Sequence, residues 1–240
     1  ISGDSIVAHY TPTKMSQNQK DGLTYNLNPD SLISDFQIIK IDYGIHLEGN
    51  IIDKAFSVNV HDEELQNVLI ESSECAVNNI LKSIGVDSRL NELAKEAIEI
   101  VESFEYKDTP IKIVENVYSH NILPWKIHGN KFIKPDFSNF DEDLKVEENE
   151  QYAIEIYTSN GTGKAKLVEN PYTHSHFRLK NQNIPLLPDN DKNKLVNVVK
   201  NYSKTLPFCP NIIDISNLKL NKKTPSHTKI IQMCQQLQSI

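Results

Sequence analysis

The chain has 240 residues, of which 38% are hydrophobic and 24% charged, proportions that suit a soluble globular protein with one sizeable core. Its net charge of -7 argues against DNA binding, because phosphates are neutralised by basic side chains, and the small group Lys219, Lys222 and Lys223 fits a solvated loop better than a nucleic-acid patch. No apolar run reaches the roughly 20 residues of a membrane span. The three cysteines are widely spaced, which predicts a reducing, cytoplasmic location.

The first predicted element is a β-hairpin over residues 36–60. Both arms are rich in β-branched and aromatic residues, and Glu48 and Gly49 supply the turn between them. A helix is predicted over 62–84, and Ser88 is predicted to cap a second helix. The apolar residues of that second helix fall on one face: Leu90, Leu93, Ala94, Ala97, Ile98 and Val101.

The remaining sequence predicts a mixture of short strands, irregular segments and one further helix. These elements are strands at 111–114, 152–157 and 164–168, an irregular stretch at 124–129, an exposed acidic loop at 136–150, a helix at 189–202 and a closing strand from His227. No repeat or linker divides the chain, so an α+β fold in one domain over 1–240 is expected.

Two aspartates in the predicted hairpin are the first candidate site. With the turn at Glu48 and Gly49, Gly44 pairs with Asp53 and Asp42 with Ala55, so the two carboxylates are diagonal neighbours on one face. Such neighbours lie roughly 7–8 Å apart or less, which is near enough to share divalent ions. The same spacing also fits a solvent-facing hairpin whose two acids have no joint role.

Other candidate ligands are His9, His120, His128 and Glu155. A lone histidine is more often a structural or surface residue than a ligand, and His174 and His176 fit a surface strand. Glu155 lies in an apolar segment, so its charge requires a partner, a cation or solvent. Neither a phosphate-binding loop nor a cysteine-based zinc site is present in the sequence.

Several motifs together resemble the type 2 methionine aminopeptidases, in the same order as in that family. They are AHYTP at 8–12, KIDYGIH at 40–46 with IIDKAF at 51–56, SHNI at 119–122 with KIHG at 126–129, YAIE at 152–155 and TLPF at 205–208. The resemblance implies a pita-bread fold that is truncated at its N-terminus, with the family's helical insertion largely missing between Cys209 and Ser226. It also implies cytoplasmic removal of methionine from the N-termini of nascent polypeptides.

The resemblance assigns roles to the candidate residues. Asp42, Asp53, His120 and Glu155 are implied to be metal ligands, with Glu155 also relaying a proton. His9 and His128 are implied to bind the scissile peptide. The implied cofactors are two divalent ions drawn from Mn, Fe, Co and Zn.

Three departures from the family pattern support a second hypothesis. Ser226 stands where the family has a fifth, bridging glutamate, so weaker binding of one or both ions is expected, with one ion retained as the alternative to two. Ser119 stands where the enzymes have glycine. Residues 159–166, SNGTGKAK, resemble the proliferation-associated branch of the fold, whose members bind ribosomes and RNA. The alternative is therefore a non-catalytic module that binds ribosome, RNA or protein. A proline-directed dipeptidase fits the motifs less well.

Overall fold

The computed structural model describes residues 1–11, 32–138, 144–167, 175–179, 190–210 and 227–237. Its contacts group the chain into a central unit, Leu32–Leu167, and a terminal unit formed by Ile1–Ser31 with Val168–Ile240. The single domain over 1–240 stays a prediction. Within the described residues, no helix is both long and apolar enough to cross a membrane.

The described elements are short apart from one hairpin and four helices. The strands are β1 (Ser2–Gly3), β2 (Ile38–Leu47), β3 (Asn50–Asn59), β4 (Glu105–Tyr106), β5 (Thr109–Pro110), β6 (Lys112–Ile113), β7 (Ser119–Ile122), β8 (Phe132–Ile133), β9 (Gln151–Ala153) and β10 (Thr158–Ser159). The α-helices are α1 (Glu64–Ser83), α2 (Leu90–Glu102), α3 (Asn190–Tyr202) and α4 (His227–Leu237), and one turn of 3-10 helix spans Ile33–Asp35.

The long hairpin β2–β3 confirms the predicted turn and register. Leu47 pairs with Asn50, and the ladder continues without a bulge to Ile38 opposite Asn59. Glu48 and Gly49 have φ values of 50° and 93°, the left-handed conformation at both central positions that a tight hairpin turn favours. The register therefore fixes which side chains share each face of the hairpin.

The core of the central unit lies between α1, α2 and the short strands. Its buried residues from the helices are Ala76, Ile80, Leu90, Leu93, Ala94, Ala97 and Val101. The prediction that Ser88 caps α2 is wrong, because Arg89 is the N-cap residue and the Ser88 hydroxyl instead accepts a hydrogen bond from the Gly85 N–H. The N–H of Leu90 donates to the Leu144 carbonyl, so pairing with a distant segment fixes where α2 begins.

Short strands complete the central unit, with β7 between β8 and β9 and with β6 paired to β10. The strand predicted at 164–168 is wrong for residues 164–167, because Gly163 turns the chain at a φ of 72°. Val168 lies outside the described residues. The acidic segment is not simply an exposed loop, since Val146 is buried and Lys131 contacts Glu147 and Glu150 at 3.2 and 2.8 Å.

The terminal unit has its own apolar core, to which α3 and α4 both contribute. The predicted helix at 189–202 is confirmed by α3, but the closing strand predicted from His227 is wrong, because α4 begins there. Ile230, Ile231, Met233 and Cys234 are buried while Gln232 is exposed, a pattern that helical spacing produces.

Candidate metal centre

The β2–β3 hairpin places Asp42 and Asp53 on the same face. Gly44 pairs with Asp53 and Asp42 with Ala55, which are the pairings predicted from the turn. Asp42 is exposed and Asp53 is half-buried. The residues opposite the two aspartates are the small Gly44 and Ala55.

His120 belongs to β7, the central strand of its three-stranded sheet, and only 2% of its surface is exposed. Its Nε2 atom lies 3.0 Å from Oε1 of Glu155. Burial by itself lowers the pKa of His120, but the hydrogen bond and charge of Glu155 outweigh that effect, so the pKa is raised. The two predicted ligands are thus held together as a pair.

Every polar group of Glu155 has a partner. Besides the contact of Oε1 with His120, Oε2 accepts a hydrogen bond of 3.1 Å from the Tyr157 hydroxyl. The Ser119 hydroxyl donates to the Glu155 carbonyl and accepts from the Glu155 N–H, both at 3.0 Å. Burial, and then the charges of Glu155 and Asp42, raise the pKa of Tyr157, which keeps the phenol protonated as a donor.

The acidic groups of the site influence each other strongly. The pKa of Asp53 is raised from 3.8 to about 6, first by burial and then by the negative charges of Asp42 and Glu155, while His120 acts in the opposite direction. Three carboxylates and one imidazole therefore share one electrostatic environment. A divalent cation would relieve their repulsion, and these donor types suit Mn, Fe, Co or Zn.

The donor set fits a divalent ion by chemistry and charge, but the side chains do not converge closely enough to coordinate one. Within residues 32–138 and 144–167, and in the other described segments, no three His, Cys, Asp or Glu side chains stand together as an ion would require. The expected fifth position, Ser226, lies outside the described residues. The metal-ligand assignments therefore stay predictions.

His128 lies beside His120, the buried member of this pair. Its ring centroid is 4.4 Å from that of His120, with the rings nearly perpendicular at 81°. The loop that carries His128 is fixed by Asn121, whose Oδ1 atom accepts hydrogen bonds from the N–H groups of Asn130 and Lys131, both at 2.9 Å. A Cβ atom at Gly129 would lie 2.1 Å from the same Oδ1 atom, so glycine is required there.

The tip of the hairpin is tied to this loop by Trp125. The backbone N–H of Trp125 donates to the Gly49 carbonyl at 2.9 Å, and the centroid of the Trp125 ring lies 4.7 Å from that of the His46 ring. The indole covers Gly49 so closely that a Cβ atom there would lie 2.3 Å from Nε1. A further hydrogen bond of 2.7 Å joins the Gln151 side chain to the Ile51 carbonyl, so the hairpin and the sheet are fixed relative to each other.

His9 belongs to the terminal unit, where it is exposed and adopts a φ of 56°. His176 is hydrogen-bonded to the His9 backbone, and burial is the main cause of the lowered pKa of His176. The neighbouring Ser175 hydroxyl accepts a 2.8 Å hydrogen bond from the Thr11 N–H. His176 is thus a half-buried partner of the His9 segment rather than a surface residue, and His174 lies outside the described residues.

Sequence reasoning missed the role of Ser119 and Tyr157 around Glu155. Tyr157 follows Glu155 by two residues, a spacing that puts both side chains on one side of an extended segment and could have indicated the contact. Ser119 stood out in the sequence only as a departure from the glycine of the enzymes. Its contact with Glu155 joins distant segments, and no local pattern marks it.

Comparisons with known proteins agree with the fold and with the motifs. The family profile of metallopeptidase family M24 matches residues 1–174. Methionine aminopeptidase 2 of Laccaria bicolor is 32% identical over 89% of this chain and 56% of its own length, and that of Botryotinia fuckeliana is 33% identical over 89% and 44%. The chain thus spans about half the length of these relatives.

A solved structure of a thermophilic Arx1 superposes with a TM-score of 0.62, at 17% identity, over 85% of this chain and 58% of that one. At that identity the superposition bears on the fold alone. The fold is the predicted pita-bread fold.

Proposed function

This chain belongs to metallopeptidase family M24, and from that premise we propose that it is the metal-binding part of an aminopeptidase that removes methionine from the N-termini of nascent polypeptides. The observation that carries the proposal is the shared electrostatic environment of Asp42, Asp53, His120 and Glu155. The two relatives described above are both named methionine aminopeptidase 2, which supports the same substrate.

Asp42, Asp53, His120 and Glu155 are the residues that would hold the ions. When bound, divalent ions polarise a peptide carbonyl and lower the pKa of a water molecule. Glu155 is the group that would move a proton to the leaving amine. Its carboxylate accepts a hydrogen bond from the Tyr157 hydroxyl and lies 3.0 Å from Nε2 of His120, so it is held beside β7.

The two remaining histidines are proposed to bind the substrate. His128 lies next to His120 on a loop that Asn121 holds in place, so its imidazole can donate a hydrogen bond to a peptide carbonyl without first being ordered. His9 is assigned the same task from the motif at 8–12. Its exposure in the terminal unit leaves its ring available to a ligand.

The test is a Mn²⁺ titration by calorimetry on the unsubstituted chain and on Asp53→Ala. We expect binding that disappears in Asp53→Ala, while Glu99→Ala, which removes an exposed carboxylate from α2, leaves the Kd unchanged. Release of free methionine from a tripeptide that begins with methionine should be lost in Asp53→Ala and unchanged in Glu99→Ala. Equal Mn²⁺ binding by the unsubstituted chain and Asp53→Ala would overturn the proposal.

A second candidate function is a non-catalytic module that binds the ribosome. One feature favours it: residues 159–166, SNGTGKAK, resemble the proliferation-associated branch of the fold. Co-sedimentation of the chain with ribosomes in the presence of EDTA, combined with failure to bind Mn²⁺, would favour this function. Mn²⁺ binding with methionine release would exclude it as the main one.

A further inference from the structure

The antiparallel ladder between β7 and β9 ends just before Glu155. Its last pair is His120 opposite Ala153, and β9 itself stops at Ala153. Beyond that point the sheet supplies no backbone partner for Glu155. The Ser119 hydroxyl fills this gap, because it donates to the Glu155 carbonyl and accepts from the Glu155 N–H, both at 3.0 Å.

Because Ser119 is buried, no other group can easily replace its hydroxyl in this contact. Only 2% of the Ser119 surface is exposed, so water cannot replace the hydroxyl as a partner. A glycine or alanine at this position would leave the Glu155 N–H and carbonyl without a partner from β7. Buried backbone groups in folded proteins are almost always paired, so the segment would have to move to regain partners.

Two consecutive residues of β7 therefore hold two different parts of Glu155. Ser119 binds its backbone, while the His120 ring binds its carboxylate at 3.0 Å. Since the backbone position of a residue sets where its carboxylate can reach, Ser119 controls the distance between Glu155 and His120. Partners behind a metal ligand commonly change metal affinity when they are removed.

We propose that Ser119 is a positioning residue that fixes the Glu155 carboxylate for ion binding, an inference that rests on the proposed function. Ser119 then stabilises the site. Its departure from the family's glycine, taken alone, had instead favoured the non-catalytic module.

The experiment compares Ser119→Ala with the unsubstituted chain by two measurements. Amide hydrogen exchange, resolved at Glu155 by NMR, should be at least about tenfold faster in Ser119→Ala, because the N–H loses its acceptor. The Kd for Mn²⁺, measured by calorimetry, should rise about 10–100-fold. Ser119→Thr keeps the hydroxyl and should restore most of both properties, which a general packing defect would not.

Ser72→Ala is the matched control. Ser72 is also fully buried in the central unit, and its hydroxyl donates to the Leu69 carbonyl at 2.9 Å within α1 rather than to Glu155. It should leave the exchange of the Glu155 N–H and the Kd unchanged. If Ser72→Ala weakens Mn²⁺ binding as much as Ser119→Ala does, loss of stability explains the effect and the proposal fails.

The two measurements separate this inference from the proposed function. Unchanged exchange at Glu155 in Ser119→Ala would overturn the role of Ser119 whatever the metal result. If the unsubstituted chain binds no Mn²⁺, the proposed function fails and the positioning of Glu155 for an ion fails with it, while faster exchange would still identify Ser119 as the backbone partner of Glu155.

Discussion

Asp53→Asn should stabilise the metal-free protein at neutral pH. The folded-state pKa of Asp53 is about 6, above its ordinary value of 3.8. Between those two pH values the folded state therefore binds more protons than the unfolded state, and the free energy of unfolding falls as pH rises. Asparagine carries no charge, so the contribution of Asp53 to this fall in the free energy of unfolding disappears. Relative to the unsubstituted chain, the gain in free energy of unfolding should be full above pH 6 and absent below pH 4.

The magnitude follows from the proton affinity. A pKa that rises from 3.8 to about 6 corresponds to ~3 kcal/mol at ~1.4 kcal/mol for each tenfold change. Asp53 is only half-buried, and solvent screening reduces the gain to ~1–2 kcal/mol. For a chain of this size the melting temperature should rise by about 2–8 °C. His120 also has a raised pKa, so some loss of stability with rising pH should remain in the variant.

The assay is thermal unfolding followed by circular dichroism in EDTA, at pH 7.5 and at pH 4. Asp108→Asn is the control, since Asp108 is an exposed aspartate in the turn between β4 and β5 and should change stability by less than ~0.5 kcal/mol. A melting temperature of Asp53→Asn at or below that of the unsubstituted chain at pH 7.5 would refute the reasoning. So would a gain that is equally large at pH 4.

Three further substitutions test other contacts. Gly49→Ala should cost ~1–3 kcal/mol in urea unfolding, because φ is 93° and Trp125 fills the space, and the cost should shrink in a Trp125→Ala background. Tyr157→Phe should cost ~1 kcal/mol in the same assay and weaken Mn²⁺ binding several-fold, since Glu155 loses a donor. Leu195→Ala should cost ~2–5 kcal/mol and speed hydrogen exchange in α3, because this side chain is fully buried.

Each of these expectations would be contradicted by one specific result. An equal cost of Gly49→Ala with and without Trp125 would show that the backbone conformation alone is responsible. Unchanged Mn²⁺ affinity in Tyr157→Phe would remove the phenol from the site. Unchanged exchange in α3 after Leu195→Ala would mean that this helix does not depend on the apolar core of the terminal unit.

The features that could be predicted from the sequence are those that short segments determine. The hairpin is specified by its turn and by alternating side chains, so its register, and with it the shared face of Asp42 and Asp53, follows from local rules. The helices α1, α2 and α3 follow from apolar spacing over several turns.

The features that could not be predicted depend on distant partners. The start of α2 is fixed by Leu144, and Ser119 meets Glu155 across the sheet, contacts that no local pattern records. The segment after His227 contains adjacent isoleucines, which favour a strand, whereas packing in the terminal unit selects a helix. Tertiary contacts decided each of these cases.

The tight turn at Glu48 and Gly49 has a consequence for how this site can change during evolution. Successive side chains of a strand point to opposite faces, so the insertion or deletion of one residue between Asp42 and Asp53 would turn one carboxylate away from the other while leaving two well-formed strands. Point substitutions on the other face of the hairpin carry no such penalty. We therefore expect functional descendants of this sequence to vary in composition along the hairpin but to keep the interval between the two aspartates constant.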